Sequence, residues 1–196
     1  CEDLWVNNPP SSYHTASGAH IIVNLSASNE LIGKDAFRRN LVKMQSLRGI
    51  CGYVYADAGE GESTTDMVFS GHNIIAEYGA IINQSALFSN GLTISEIDVD
   101  KLCLERAKSS TFSQSKNSDY QYIEFLTDTE DTLLTRFVST HPFVPEDKTE
   151  LSERAEAILM LQAHGLKKRI EHSKAKCAVV GVSGGLDSCL ALIVAV

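Results

Sequence analysis

Two periods of apolar residues alternate along this chain. From Ile32 to Leu47, the residues Ala36, Phe37, Leu41, Met44 and Leu47 recur at helical spacing, with Lys34, Arg38, Arg39, Lys43 and Arg48 on other faces. That pattern predicts an amphipathic helix. On either side the residues become β-branched and aromatic. Gly18 to Ser26 reads as a turn followed by a buried strand, and Ile50 to Ala56 as a second strand. Met67 to Asn83 holds short apolar runs broken at Ser70-Gly71 and Tyr78-Gly79, which marks a hairpin-like pair. Pro9-Pro10-Ser11-Ser12 starts a short helix, and Ile97 to Lys108, led by Asp98 and Asp100, predicts another. A polar loop is expected over Lys108–Asp119, then a strand over Tyr122–Leu126.

Past residue 138 the pattern changes. His141-Pro142-Phe143-Val144-Pro145-Glu146-Asp147 cannot form a regular element, because its prolines remove donors and restrict the residues before them. Thr149 or Ser152 is then expected to cap a helix running to about His172. Its apolar positions Leu151, Ala155, Ile158, Leu159, Leu161, Leu166 and Ile170 suit packing on one or two neighbours. Finally Ala178-Val179-Val180 reads as a strand, Gly181 to Ser188 as a glycine turn, and Cys189 to Val196 as an apolar helix. The chain is thus α/β in three parts: residues 1–138, a linker and helix over 139–175, and a strand–turn–helix over 176–196. No internal repeat and no low-complexity segment interrupts them.

Composition narrows the classes. With 196 residues, 43% of them hydrophobic, the chain can bury a sizeable core and is globular rather than disordered. A net charge of −8 argues against nonspecific nucleic-acid binding. No apolar run approaches the roughly 18 residues of a membrane span, and no secretory signal is visible. The five cysteines form no CxxC pair and no zinc spacing. Cys51, Cys177 and Cys189 stand in apolar segments and are expected in the core. A reducing cytoplasm is the simple inference. The six histidines show no metal-ligand spacing and read as surface or core residues.

Chemistry concentrates at the two ends. In Gly181-Val182-Ser183-Gly184-Gly185-Leu186-Asp187-Ser188, glycines allow close approach of an anion, and the N–H groups at a helix start face it. Ser183 and Ser188 add hydroxyl donors, and Asp187 is placed to hold a magnesium ion beside phosphates. The lysine of the common P-loop is missing. At the other end stands Cys1-Glu2-Asp3-Leu4-Trp5. A cysteine becomes a nucleophile when its thiolate is stabilised and a base stands near.

These segments carry a resemblance. The loop 181–188 is similar to the SGGxDS pyrophosphate-binding loop of the ATP pyrophosphatase (PP-loop) superfamily. The order CEDLW, then the 18–26 segment, then Ala58-Gly59-Glu60-Gly61-Glu62-Ser63-Thr64-Thr65-Asp66, resembles the nitrilase-type glutaminase domain of glutamine-dependent NAD synthetases. That family joins both domains in this order, and the match covers almost the whole chain. The resemblance implies the C-terminal part of a nitrilase-like αββα sandwich, a helical linker, and the first strand–loop–helix of a doubly wound PP-loop domain. It implies Cys1 as the catalytic nucleophile, and Glu2, Ser28 and Lys34 as contacts to the amino-acid end of glutamine. It implies Gly181, Val182, Ser183, Gly184, Gly185, Leu186, Asp187 and Ser188 as the ATP loop, with Mg2+ at Asp187. The substrates would be glutamine, ATP and nicotinic acid adenine dinucleotide. The partners would be the rest of the same polypeptide and, in a homo-oligomer, further copies. Arg is common in the family where Lys34 stands, and a lysine offers a point charge in place of a bidentate fork. Glu60 and Glu62 read as loop residues that shape the glutaminase entrance.

The chain opens on the expected nucleophile and ends inside an apolar helix, so it reads as an internal piece of a longer protein. The Glu base and Lys of nitrilase-like enzymes would stand upstream of Cys1. Two other readings stand beside this one. An asparagine-synthetase-like enzyme also combines an N-terminal Cys with an SGGLDS loop. Its Cys is followed by Gly-Ile rather than Glu2-Asp3, and the interval from Cys1 to Ser183 is short for it. A non-catalytic nitrilase-fold scaffold would not need both Cys1 and a complete loop.

Overall fold

A computed structural model describes residues 2–63, 65–112, 115, 120–127 and 133–196. The chain divides into two compact units, Cys1–Phe137 and Val138–Val196.

The first unit is built on one mixed sheet. Its strands are β1 (Ile21–Ser26), β2 (Gly52–Asp57), β3 (Ile74–Glu77) and β4 (Ala80–Gln84), in that spatial order. β1 and β2 run parallel, Ile21 opposite Gly52 through Ser26 opposite Asp57. A parallel pair needs a crossover, and α2 (Lys34–Gly49) supplies it. β2–β3 and β3–β4 are antiparallel. The β3–β4 hairpin turns through Tyr78 and Gly79, with φ of 44° and 84°. Both central residues lie in the left-handed region that two-residue hairpins require. α1 (Pro10–Ala16) precedes the sheet and α3 (Val99–Lys108) follows it, capped by Asp98, whose side chain accepts the Lys101 N–H. The core gathers Leu4, Ile22, Val42, Cys51, Tyr53, Tyr55, Ile74 and Ala76, with Trp5, Leu41 and Ile81 packed against it.

Three expectations for this unit are corrected. β1 is not a buried strand: Ile22 is buried, but Val23 and Leu25 are 63% and 78% exposed, because β1 is an edge strand with one open face. Tyr122–Leu126 forms no strand: among the described residues it pairs with no strand of the sheet. The buried face of α2 is not its apolar set. Phe37 and Met44 are exposed, and Arg38, Val42, Gln45, Ser46 and Gly49 face inward. Arg38 is drawn in by carboxylates described below. Of the loop expected over Lys108–Asp119, residues 113, 114 and 116–119 lie outside the described residues; Lys108 itself closes α3.

The second unit holds α4 (Lys148–Ser173) and α5 (Leu186–Ala195). Asp147, not Thr149 or Ser152, caps α4, accepting the Glu150 N–H at 2.9 Å. The Asp-x-x-Glu spacing was a readable sign of that start. No residue of α4 is fully buried, but Leu159, Leu166 and Ile170 are half-buried and α4 packs against α5. Ala178–Val180 forms no strand, because the described residues of this unit provide no second strand to pair with it. Cys177 and Cys189 are exposed rather than core, while Cys51 is buried.

Candidate functional site

The N-terminal segment begins as a single 3-10 turn, Glu2–Leu4, closed by the Trp5 N–H donating to the Glu2 carbonyl at 2.7 Å. Leu4 is sunk in the core and anchors the turn. That places Glu2 and Trp5 beside the segment leaving β1. Glu2, Trp5, Ala27, Ser28, Asn29 and Lys34 line one cavity of about 510 Å³. The three residues expected at the amino-acid end of glutamine, Glu2, Ser28 and Lys34, thus share one cavity. Cys1 lies outside the described residues; it is covalently next to Glu2.

Each wall residue is held for a physical reason. Ser28 is buried and its N–H donates to Asp57 Oδ1 at 2.9 Å, so the end of β2 fixes the strap after β1. Lys34 is the first residue of α2, and Gly33, at φ 81°, turns the chain into that helix. Lys34 Nζ donates to the Asn29 carbonyl at 2.7 Å and to Asn29 Oδ1 at 2.9 Å. It also stands 5.2 Å from the Trp5 ring centroid, where an ammonium is attracted to the π face. The cavity therefore presents one oriented cation and one carboxylate, Lys34 and Glu2. That is the charge pair a zwitterionic amino acid needs.

Asn29, Trp5 and Asp57 are site residues that sequence reasoning missed. Asn29 follows Ser28 in the chain, Trp5 ends the CEDLW motif, and Asp57 comes just after the strand predicted over Ile50–Ala56, so proximity was their only local signal. Glu60 lines a second cavity, of about 410 Å³, with Ser63, Thr65 and Phe88, and accepts from Asn90 Nδ2 at 3.0 Å. Glu62 sits in the same loop and is not among that cavity's lining residues. Among the described residues no group of three His, Cys, Asp or Glu could hold a metal ion. Nor is any helix long and apolar enough to cross a membrane.

The loop 181–188 is a separate feature of the second unit. Gly184 has φ 87°, a conformation natural to glycine, and Gly185 is the N-cap of α5 without a side-chain cap. The N–H groups at the start of this ten-residue helix therefore have no capping oxygen. Ser188 Oγ accepts the Ser183 N–H at 3.3 Å and donates to the Gly185 carbonyl at 3.0 Å, folding both hydroxyls over the turn. Asp187 stands in the first turn. Uncapped amides, two hydroxyls and one carboxylate form a donor set that suits a polyphosphate carrying a hard cation.

No family model matches the chain. It is 38% identical to the glutamine-dependent NAD(+) synthetase of Mycobacterium tuberculosis (strain H37Rv), over all of this chain and 30% of that protein. It is 27% identical to the enzyme of the same name from Thermotoga maritima, over all of this chain and 33% of that protein. Among solved structures, the carbon-nitrogen hydrolase from Helicobacter pylori G27 aligns with 55% of this chain and 41% of its own, at 15% identity and a TM-score of 0.45. The chain spans about a third of the length of the curated relatives it matches. From end to end, this chain is similar in sequence to one stretch of the glutamine-dependent NAD(+) synthetases.

Proposed function

We propose that this chain is part of a glutamine-dependent NAD synthetase. Residues 1–138 are read as the C-terminal part of a nitrilase-like glutaminase domain, 139–175 as the linker and helix, and 176–196 as the start of the PP-loop domain. The observation that carries this reading is the meeting of Glu2, Ser28 and Lys34 on one cavity next to Cys1 in the chain. The sequence similarity along the whole of this chain supports it.

In this reading the Cys1 thiolate attacks the side-chain amide carbon of glutamine. Ammonia leaves, and a thioester remains. Water then cleaves the thioester to glutamate and restores the thiol. Glu2 takes the substrate's α-ammonium and Lys34 its α-carboxylate, while Ser28 supplies a hydroxyl. An upstream Glu serves as the base and an upstream Lys stabilises the oxyanion. At the second site the loop 181–188 would hold ATP, and Asp187 would hold a Mg2+ ion, which would supply neutralisation of charge on the phosphates. The carboxylate of nicotinic acid adenine dinucleotide is adenylated there with loss of pyrophosphate. Ammonia displaces AMP and gives NAD. Ammonia reacts only unprotonated, so a dry internal path between the sites is required. A cytoplasmic location and a homo-oligomer complete the reading.

The test is Cys1→Ala in the full-length protein. Glutamine-fed synthesis should be abolished, and synthesis fed with an ammonium salt should survive. Loss of both, or retention of both, removes Cys1 from the nucleophile role.

A further inference from the structure

Beneath the 510 Å³ cavity lies a buried polar network in which one guanidinium faces two carboxylates. Glu30 Oε2 accepts Nη1 and Nη2 of Arg38, both at 2.9 Å, and the Ser70 hydroxyl at 2.5 Å. Asp57 Oδ2 stands 3.7 Å from Arg38 Nη2. Arg38 Nη1 also donates to His72 Nδ1 at 2.9 Å, which leaves the His72 proton on Nε2, facing Gln84 Oε1 at 3.4 Å. The Arg38 and Asp57 side chains are completely buried.

This network is incompletely satisfied. Glu30 Oε1, Arg38 Nε and Asp57 Oδ2 are buried without a hydrogen-bond partner. A buried ion cluster of this kind is a poor source of stability, because desolvation offsets its attractions, and apolar residues of similar volume often serve as well. Its connections point to another use. Asp57 Oδ1 receives the Ser28 N–H, and Glu30 follows Ser28 and Asn29 on the same strap. The Glu30 N–H in turn donates to the Val68 carbonyl at 2.7 Å. Arg38 lies one helical turn after Lys34, so the same face of α2 supplies the cavity's cation and the network's centre. The cavity wall and the network are thus directly connected.

We propose that Asp57, backed by Arg38 and Glu30, is a positioning residue that fixes Ser28 for the amino-acid end of the substrate. It makes the cavity prefer an α-amino acid over a plain amide. This inference rests on the glutaminase reading. Asp57 touches no substrate atom in it; it acts through the Ser28 main chain. Replacing Asp57 by Asn keeps the volume but forces a choice. The Arg38 guanidinium attracts the amide oxygen, so the amide NH2 is turned towards the Ser28 N–H, which then has no acceptor.

The experiment compares two reagents at Cys1 in the full-length protein. One is a diazoketone analogue of glutamine, which carries the α-amino and α-carboxyl groups; the other is iodoacetamide, which carries neither. Asp57→Asn should slow labelling by the analogue about tenfold, the worth of one hydrogen bond. Its iodoacetamide rate should stay within about twofold of wild type on the same scale. An unchanged analogue rate, or equal slowing of both reagents, overturns the inference. Wild-type Cys1 that ignores the analogue sinks the glutaminase reading itself. Should Asp57→Asn fail to fold, Glu30→Gln takes its place, and there a selective loss of about threefold is expected. An equal response to both reagents in that variant overturns the inference.

Discussion

Arg136 holds Glu77 with both terminal guanidinium nitrogens, at 2.7 and 3.1 Å. Glu77 closes β3 and its side chain is buried. The same carboxylate accepts the Asp98 N–H at 2.7 Å and Lys101 Nζ at 3.1 Å. One side chain therefore ties the sheet to the start of α3 and to the segment ending at Phe137. Burial alone would push the Glu77 carboxyl upward. The bonds from Arg136, the Asp98 N–H and Lys101 outweigh it and hold the group at about 2.

The sign of the resulting pH dependence follows. A carboxylate whose folded pKa is depressed stabilises the fold above its unfolded value, here 4.5, and that stabilisation is lost as pH falls towards about 2. Glu77→Gln should therefore cost about 3 kcal/mol at pH 7, since it leaves Arg136 without its partner. The gap between variant and wild type in urea unfolding should narrow steadily below pH 4.5. A gap that stays constant from neutral to acid pH would contradict the assignment.

Arg106 is a buried cation that the hydrogen bonds pair with carbonyls. It donates to the Ile50 carbonyl at 3.0 Å, to that of Gly49 at 3.0 Å and to that of Ala19 at 2.5 Å, and its guanidinium lies 4.8 Å from the Phe112 ring centroid. Gly49 and Ile50 end α2, where the helix dipole is negative, so the cation is well placed. Only a planar fork reaches carbonyls on two chain segments at once. Arg106→Lys should destabilise the first unit by about 2 kcal/mol and Arg106→Met by more, because buried carbonyls are left unpaired. Thermal unfolding at neutral pH measures this. A lysine variant as stable as wild type would show that charge alone suffices.

Cysteine reactivity should divide by location. Cys51 is fully buried, and burial pushes its thiol up to about 11, with Arg106 pulling the other way. Cys103, Cys177 and Cys189 are exposed. At pH 8 the Cys51 thiolate fraction is then on the order of one in a thousand. Alkylation of the native chain, mapped by peptide mass spectrometry, should modify the three exposed cysteines well before Cys51. Comparable rates would place Cys51 at the surface.

Much of the local structure was legible from neighbouring residues. The helix over 34–49 follows from its period, the cap at Asp98 from its residue type, the hairpin from Tyr78-Gly79, and the turn into α5 from Gly184-Gly185. Each depends on interactions within a few residues, which sequence displays directly. The position of Ser28 and Lys34 near Glu2 was legible only through family resemblance, because nothing local joins residue 2 to residue 34.

Tertiary structure decided the rest. Periodicity marks α2 as a helix, yet which face it buries depends on Glu30, Asp57 and His72 waiting inside, so Arg38 goes in and Phe37 stays out. Apolar runs at Tyr122–Leu126 and Ala178–Val180 have strand composition, but a strand exists only where it pairs with another, and neither run is paired among the described residues. Asp57 lies just past the strand predicted over Ile50–Ala56 and carries no local sign of a role. Its hydrogen bond to Ser28 spans 29 positions of sequence, and only the parallel pairing of β1 with β2 brings the two together.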